Sequence, residues 1–336
     1  MNEKMQKQQG AIMPRKYWVD CLRAFAMLVV VVVHASSGLP HWDKYNVFLG
    51  PVMLPLFFAI SGYLFNPCEG NQWKFYKKLF LKIIVPWFAL SLIWLHALLI
   101  PFKGFSPYFT GLFYEFISGK MLWYFSCCIF AEMIQFYIRK FVKKFSLVCI
   151  ADIVCCIIGF VLVSFGIGDF LNINKAFIAQ FFIMLGYVFQ NKEAVFSKLR
   201  WWMISLFAFV YLALAITSIV IFPDQYIDVN RNMYPNIPMY FAMIAIGVLT
   251  LFAVAKRLDL KWKLLVFIGQ NTLVIYGLHS KGFAVTQKLL SLVHVALPKN
   301  WGTALLMSGV AVLLCGIGAI ILNKVLPEAV GRRRKR

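Results

Sequence analysis

Ten stretches of apolar residues, joined by short polar connections, run through this chain. A helix of about 20 apolar residues spans the hydrocarbon core of a bilayer, which is about 30 Å thick. The sequence therefore predicts an all-α fold, a polytopic integral membrane bundle of about ten transmembrane helices. The predicted spans lie near residues 17–37, 49–65, 80–100, 121–138, 146–168, 175–190, 200–222, 237–255, 264–286 and 302–323.

Composition and charge distribution support the same class. Of the 336 residues, 61% are hydrophobic and 14% are charged, which is too apolar for a soluble protein of this size. The net charge of +21 would suggest nucleic acid as a partner of a soluble chain. Here most lysines and arginines lie in alternate connections, so they predict topology instead, with cytoplasmic N- and C-termini in the cell (plasma or inner) membrane. We expect the basic tail to contact membrane lipid, and we predict no nucleic-acid partner.

The connections are too short for a soluble domain. We predict a cytoplasmic N-terminal tail at 1–16, a single membrane domain at 17–326 and a basic cytoplasmic tail at 327–336. The sequence contains no P-loop or dinucleotide fingerprint and no internal repeat. Its eight cysteines show no metal-ligand spacing and are interpreted as small buried hydrophobic residues. No metal site and no bound cofactor are predicted.

The first apolar stretch, Tyr17 to Ser37, also contains Asp20, Arg23 and His34. At 100° per residue these side chains fall within about 60° of one another on a helix. Arg23 and His34 are separated by roughly 16 Å of helix rise, so the polar face connects two depths of the membrane. Asp20 is close enough to pair with Arg23, while a neutral His34 could act as a base or proton carrier. The structural alternative is an interfacial arginine and a histidine bonded to a neighbouring helix.

A group of lysines precedes the third apolar stretch. They are topology anchors, or they form a cationic site for the phosphates of a cosubstrate such as a coenzyme A thioester. The group comprises Lys74, Lys77, Lys78 and Lys82.

Further polar or aromatic candidates lie on later stretches. Glu132 falls near mid-membrane, where it must be protonated, paired or in a wet cavity, and Asp152 raises the same question. Tyr276 and His279 share a helix face, and the proposed topology places His279 toward the outer side, as it does His34. The two histidines could therefore meet. The remaining candidates are Ser61 and Trp123.

Four sequence patterns together resemble the membrane acyltransferase 3 family. They are Asp20-x-Leu22-Arg23 with His34 after an apolar run, Phe57-Phe58-x-x-Ser61-Gly62-Tyr63, Leu122-Trp123-Tyr124-Phe125, and Gly269-x-Asn271-Thr272-Leu273-x-x-Tyr276-x-x-His279. The chain departs from the family pattern in two respects. Lysines 78 and 82, four apart, replace a pair of arginines three apart, and Met121 stands where the family has a histidine before Leu-Trp.

The resemblance implies that residues 17–326 form an O-acetyltransferase with acetyl-CoA as cosubstrate. Its acceptor would be a sugar hydroxyl of a cell-surface glycan or a lipid-linked glycan precursor. In this interpretation Arg23 and the lysine group hold the donor, and His34 is a general base or a transient acyl carrier. The alternatives are a transporter or flippase that uses the buried charged residues as a proton relay, and an assembly partner without catalysis.

Overall fold

The structure is a computed structural model that describes residues 15–67, 70–95, 105–223, 226–234, 236–292 and 294–332, without the side chains of 95 and 105–109. In these ranges the only β-type pairing is an isolated bridge between Asp228 and Met233, so the predicted all-α fold is confirmed. Most of the predicted N-terminal tail, residues 96–100 of the third span and Arg333 to Arg336 lie outside the described residues.

The helices are numbered in chain order. They are α1 Tyr17–Ala35, α2 Trp42–Leu49, α3 Leu54–Leu64, α4 Gln72–Leu79, α5 Val85–Leu95, α6 Phe105–Ile117, α7 Trp123–Phe141, α8 Phe145–Ser164, α9 Ile173–Asn191, α10 Glu193–Ser197, α11 Trp201–Ile221, α12 Ile237–Arg257, α13 Lys263–Gln270, α14 Thr272–Leu292 and α15 Trp301–Val325. A π-helical turn, Phe80–Ile84, joins α4 to α5, and short 3-10 turns occupy Gly50–Val52, Phe170–Asn172 and Pro327–Val330.

Seven helical segments of the described chain are long and apolar enough to cross a membrane. They are Tyr17–Ala35, Trp42–Leu64, Phe145–Ser164, Phe170–Asn191, Trp201–Ile221, Ile237–Arg257 and Trp301–Val325. The other three predicted spans are helical as well. The third continues from the π turn into α5, the fourth is α7, and the ninth is divided at Asn271 into α13 and α14.

Helix α1 lies at the centre of the bundle. It packs against α3, α12, α13, α14 and α15, and its Ala24, Ala26 and Val31 are fully buried. Because α1 is surrounded by protein, its polar side chains face other helices or internal cavities. By contrast, α8, α11 and α15 leave most of their apolar surface uncovered by protein, as expected of helices that face lipid.

Small residues allow the inner helices to approach closely. A side-chain carbon at Gly186 of α9 would overlap the carbonyl oxygen of Ala59 in α3, and one at Gly62 would overlap the carbonyl oxygen of Ile183. Gly269 of α13 lies in the same way against the carbonyl oxygen of Asp20 in α1. These contacts bring the backbones of α3 and α9, and of α1 and α13, together.

A buried polar network joins α7, α8 and α9. Gln135 Nε2 donates to Asp152 Oδ1 at 3.0 Å and to Gln180 Oε1 at 3.3 Å, while Arg139 Nε donates to Gln135 Oε1 at 3.0 Å. Arg139 also donates to the carbonyl of Gly62. Because lipid offers no hydrogen-bond partners, polar groups at this depth must bind one another. Gln135 therefore links the three helices, and Asp152 joins α8 to this network through its bond to Gln135.

The glycine contacts predict that Gly186→Ala destabilises the protein. The added methyl group must push α9 away from α3, and overpacking of this kind costs roughly 1–3 kcal/mol of unfolding free energy. We expect a lower midpoint of thermal denaturation in detergent. Gly309→Ala in α15 is the control, because nothing lies within 4 Å of a side-chain carbon there. An equal or higher midpoint for Gly186→Ala than for Gly309→Ala would contradict the packing argument.

Candidate active site

Two cavities enter the bundle from its opposite ends and approach each other in its interior. The inner cavity has a volume of about 570 Å³ and lies at the end that holds Arg15 and Arg332, next to both ends of the described chain. The outer cavity, of about 350 Å³, contains His34 and His279. Leu54 and Tyr276 line both cavities, so the two spaces are separated only by a narrow layer of side chains.

The walls of the inner cavity are basic. The cavity is lined by Arg15, Arg23, Lys82 and Arg332. Among the described residues that line it, Glu132 provides the carboxylate. The buried carboxylate of Asp20 accepts a hydrogen bond from Arg15 Nε at 2.7 Å and lies 3.5 Å from Arg23 Nη1. The predicted proximity of Asp20 and Arg23 is therefore present, with Arg15 as a second partner. An excess of positive charge makes this cavity suitable for an anion.

The C-terminal segment forms part of the inner cavity wall. After α15 the chain turns back through Pro327–Val330, and Val330, Gly331 and Arg332 line the cavity. Arg332 Nη2 donates to the carbonyl of Gln270 at 3.0 Å and to Asn271 Oδ1 at 2.9 Å. The sequence prediction assigned this segment to a tail and missed both Arg332 and Arg15. The contribution of Arg332 depends on this fold-back, which no local sequence pattern indicates.

Only part of the predicted lysine group reaches this cavity. Lys82, in the π turn, lines it. Lys78 is half-buried nearby and close enough for electrostatic interaction with Glu132. Lys74 and Lys77 are exposed on α4 and are not among the lining residues. The structure therefore divides this group into residues at the cavity and residues on the surface.

Ser61 and Glu132 are neighbours in the inner cavity. Ser61 Oγ donates to Glu132 Oε1 at 3.1 Å, and both residues line the space between Lys82 and Tyr124. Glu132 is thus both paired and in a cavity, which are two of the three environments predicted for an acidic residue at this membrane depth. The sequence did not indicate that Ser61 is its partner.

His34 and His279 are in direct contact at the outer cavity. His34 Nδ1 lies 2.8 Å from His279 Nε2, although the residues are 245 positions apart. The ring nitrogen Nδ1 of His279 lies 2.8 Å from the carbonyl oxygen of Tyr276 and 3.2 Å from that of Ile275. The meeting of the two histidines that helix periodicity and topology suggested is present in the structure.

The backbone contacts determine which nitrogens of the pair carry hydrogen. Carbonyl oxygens only accept, so His279 Nδ1 must be the donor to them. In a neutral His279 the other nitrogen, Nε2, is then an acceptor, and His34 Nδ1 donates to it. This arrangement leaves the lone pair of His34 Nε2 available. His34 is exposed to the outer cavity whereas His279 is buried, so His34 is the member of the pair that can act as a base or nucleophile there.

Aromatic and polar side chains share the rest of the outer cavity. Trp123, a predicted candidate, lines it together with Trp42 and Trp94. Polar groups on the same walls are Asn46, Glu115, Lys120, Asp228, Asn230 and Ser280. Among the described residues, no group of three or more His, Cys, Asp and Glu is placed to hold a metal ion. The cavity therefore combines flat apolar surfaces with hydrogen-bonding groups beside an available imidazole nitrogen.

A comparison with known families agrees with these features. The model of the acyltransferase 3 family, described as "Acyltransferase domain", matches residues 16–320, which include both cavities almost completely. No curated protein and no solved structure matches the chain. The family match covers far more than half of the sequence. The chain therefore belongs to the acyltransferase 3 family and is a multi-pass membrane acyltransferase.

Proposed function

We propose that this protein transfers an acetyl group from acetyl-CoA to a hydroxyl of a cell-surface glycan or lipid-linked sugar at the cell (plasma or inner) membrane. The observation that supports this best is the pair of cavities of different character, one basic and one aromatic and polar, which are separated by a layer that includes Leu54 and Tyr276. The histidine pair lies on the outer side of this junction. A donor and an acceptor can thus approach the same point from opposite ends.

The inner cavity is the donor site in this proposal. The phosphates of acetyl-CoA bind Arg15, Arg23, Lys82 and Arg332, of which the arginines can form bidentate hydrogen bonds. The pantetheine arm then extends between the helices toward the outer cavity. Arg23 and His34 are separated by roughly 16 Å of helix rise, a distance that approaches the length of this arm. The thioester is thereby directed to the junction beside Tyr276.

The outer cavity is the acceptor site. Sugar rings have apolar faces that pack on tryptophan side chains, while their hydroxyls need donors and acceptors such as those of Asn46 and Asn230. Both kinds of group line the cavity next to His34. The acceptor hydroxyl would lie within hydrogen-bond distance of His34 Nε2, as a general base requires.

His34 can act in two ways. As a general base, Nε2 takes the hydroxyl proton while the acceptor oxygen attacks the thioester carbon; the C–S bond breaks and the thiolate of coenzyme A receives that proton. As an acyl carrier, Nε2 itself attacks the thioester carbon, the C–S bond breaks and coenzyme A leaves as the thiolate; the acceptor oxygen then attacks the acetyl carbon, the C–N bond breaks, and the hydroxyl proton balances the charge of the thiolate to give the thiol. Both routes need the lone pair that the contact with His279 leaves free.

The alternative of a transporter with a proton relay has no comparable support. Membership of an acyltransferase family favours acyl transfer. In addition, Asp20 is paired with two arginines at the inner end, and the two histidines contact each other in the outer cavity.

His34→Ala should reduce acetyl transfer by about 100-fold or more, the range expected for loss of a general base or nucleophile. The measurement is incorporation of labelled acetyl from acetyl-CoA into glycan, in membranes that contain equal amounts of each variant. His294→Asn changes an exposed histidine and is the matched control, because asparagine tolerates the left-handed backbone there, where φ is 52°. Transfer by His34→Ala at the wild-type rate would contradict the proposal. Mass spectrometry of enzyme incubated without acceptor separates the routes, since only an acyl carrier retains one acetyl group that His34→Ala lacks.

His279 should act through its hydrogen bond to His34. His279→Ala removes the acceptor for His34 Nδ1, and we expect about a tenfold loss in kcat, the value of one such hydrogen bond. Glutamine retains a side-chain oxygen that can accept, so His279→Gln should recover part of the activity. Equal losses in the two variants would show that the side chain is needed for another reason.

Arg332→Ala should weaken donor binding. Loss of one charged hydrogen-bond donor to phosphate predicts an increase of about tenfold in KM for acetyl-CoA, with a smaller change in kcat. The matched control is Lys324→Ala, which removes an exposed positive charge in the last turn of α15. Steady-state kinetics over a range of acetyl-CoA concentrations provide the comparison. An unchanged KM in Arg332→Ala would remove the C-terminal segment from the donor site.

A further inference from the structure

A third cavity lies beside the outer cavity. This side cavity has a volume of about 510 Å³ and shares Glu115, Lys120 and Asn230 with the outer cavity. The two spaces are therefore neighbours along these shared side chains. A molecule whose reacting group is next to His34 can therefore extend past them into the side cavity.

Much of the side cavity wall is held in place by internal hydrogen bonds. Lys175, on α9, is buried, and its Nζ donates to Asn172 Oδ1 at 2.7 Å. The amide of Asn172 in turn donates to the carbonyl of Gly119 at 2.9 Å and to Ser126 Oγ at 2.8 Å. An ammonium group has three hydrogens, so Lys175 retains donor capacity beyond its bond to Asn172. The wall is thus preorganised before a ligand binds.

The lining selects one kind of ligand. Val163 is its only apolar residue among those described, and four of the other lining residues are asparagines at 172, 174, 230 and 232. Carboxamides both donate and accept hydrogen bonds, as sugar hydroxyls do. The charges of the lining nearly balance, with Lys120, Lys175 and Arg231 against Glu115 and Asp169. Lys175 Nζ lies 4.0 Å from Asp169 Oδ1, and Arg231 Nε lies 3.6 Å from Asp228 Oδ2. A phosphate or carboxylate would therefore meet little net positive charge, and an acyl chain would leave the polar groups without partners. A neutral, hydroxyl-rich ring avoids both costs.

We propose that the side cavity binds a second sugar residue of the acceptor, so that the protein acetylates an oligosaccharide in preference to a single sugar. This inference rests on the proposed function and specifies its substrate. The reacting sugar lies in the outer cavity beside the tryptophans and His34. Its neighbour in the glycan is held by hydrogen bonds alone, since no aromatic residue lines the side cavity among those described.

Two variants alter the side cavity without changing the histidine pair. Val163→Trp fills the space from α8. Val161→Trp is the matched control, because Val161 is an exposed residue of the same helix. Asn232→Gly removes a carboxamide from the opposite wall, and glycine tolerates the left-handed backbone there, where φ is 54°. The midpoint of thermal denaturation of each variant establishes that it is folded.

The test uses glycan from cells that lack this protein, released by mild acid and separated into fractions of one, two and more sugar residues. With wild type and Val161→Trp, we expect acetyl transfer per reducing end to be at least about tenfold more efficient for two or more residues than for one. Val163→Trp should lose this difference. Asn232→Gly should reduce the difference in efficiency between the fractions by about threefold to tenfold, the value of one hydrogen bond. Transfer to the single-sugar fraction should change little in either variant.

Each contrary result has a distinct meaning. Equal wild-type efficiency on all fractions, or losses in Val163→Trp and Asn232→Gly that do not depend on fraction size, would overturn the side-cavity inference and leave the proposed function intact. Absence of transfer to every fraction and to the intact glycan would overturn the proposed function, and this inference with it.

Discussion

The inner half of the structure depends on the interactions of one buried side chain, the carboxylate of Asp20. It binds Arg15 and lies beside Arg23, so two guanidinium groups are positioned at the cavity by one acid. The backbone of the same residue touches Gly269, which fixes α13 against α1. The carboxylate is buried, whereas the side chains of Arg15 and Arg23 are partly exposed, so loss of either arginine would leave a buried negative charge with weaker compensation. Asp20 therefore links the position of the cations to the packing of the central helix.

The interruption of the ninth apolar segment has a second organising role. At Asn271 the helix divides into α13 and α14, and buried Asn271 accepts hydrogen bonds from Asn323 Nδ2 at 2.8 Å and Arg332 Nη2 at 2.9 Å. Irregular backbone is tolerated at membrane depth when it is enclosed by protein or lines a cavity. The break gives the C-terminal segment a place to bind. From the same point α14 continues toward the outer end and brings His279 to His34.

Helix periodicity and predicted topology were sufficient to predict the positions of some residues of the candidate site, but not of the others. His34 and His279 could be placed together from sequence because each lies on a regular helix whose direction the positive charges predict. Asp20 and Arg23 are three residues apart, so their proximity is local. The bond between Ser61 and Glu132, and the positions of Arg15 and Arg332, depend on helix rotation and on the fold-back of the chain end. Neither property leaves a signal in hydropathy or charge. The lysines before the third span show the same limit, since a charge count gives the side of the membrane but not which ammonium groups reach a cavity.

The junction between the two cavities explains how a membrane enzyme of this form can keep its barrier. An open passage between a basic inner space and a polar outer space would conduct water and ions across the bilayer. Tyr276 and Leu54 stand at that point, and the Tyr276 hydroxyl accepts a hydrogen bond of 3.3 Å from the backbone amide of Tyr124, close to the beginning of α7. The tyrosine is thus held across the junction by a rigid helix end. Under the proposed function the acetyl group of the donor is the only part that must pass it, because the phosphates stay with the arginines and the sugar stays with the tryptophans. A site that separates two large, polar substrates by a thin layer of side chains can bring their reacting atoms together while excluding the solvent that surrounds each of them.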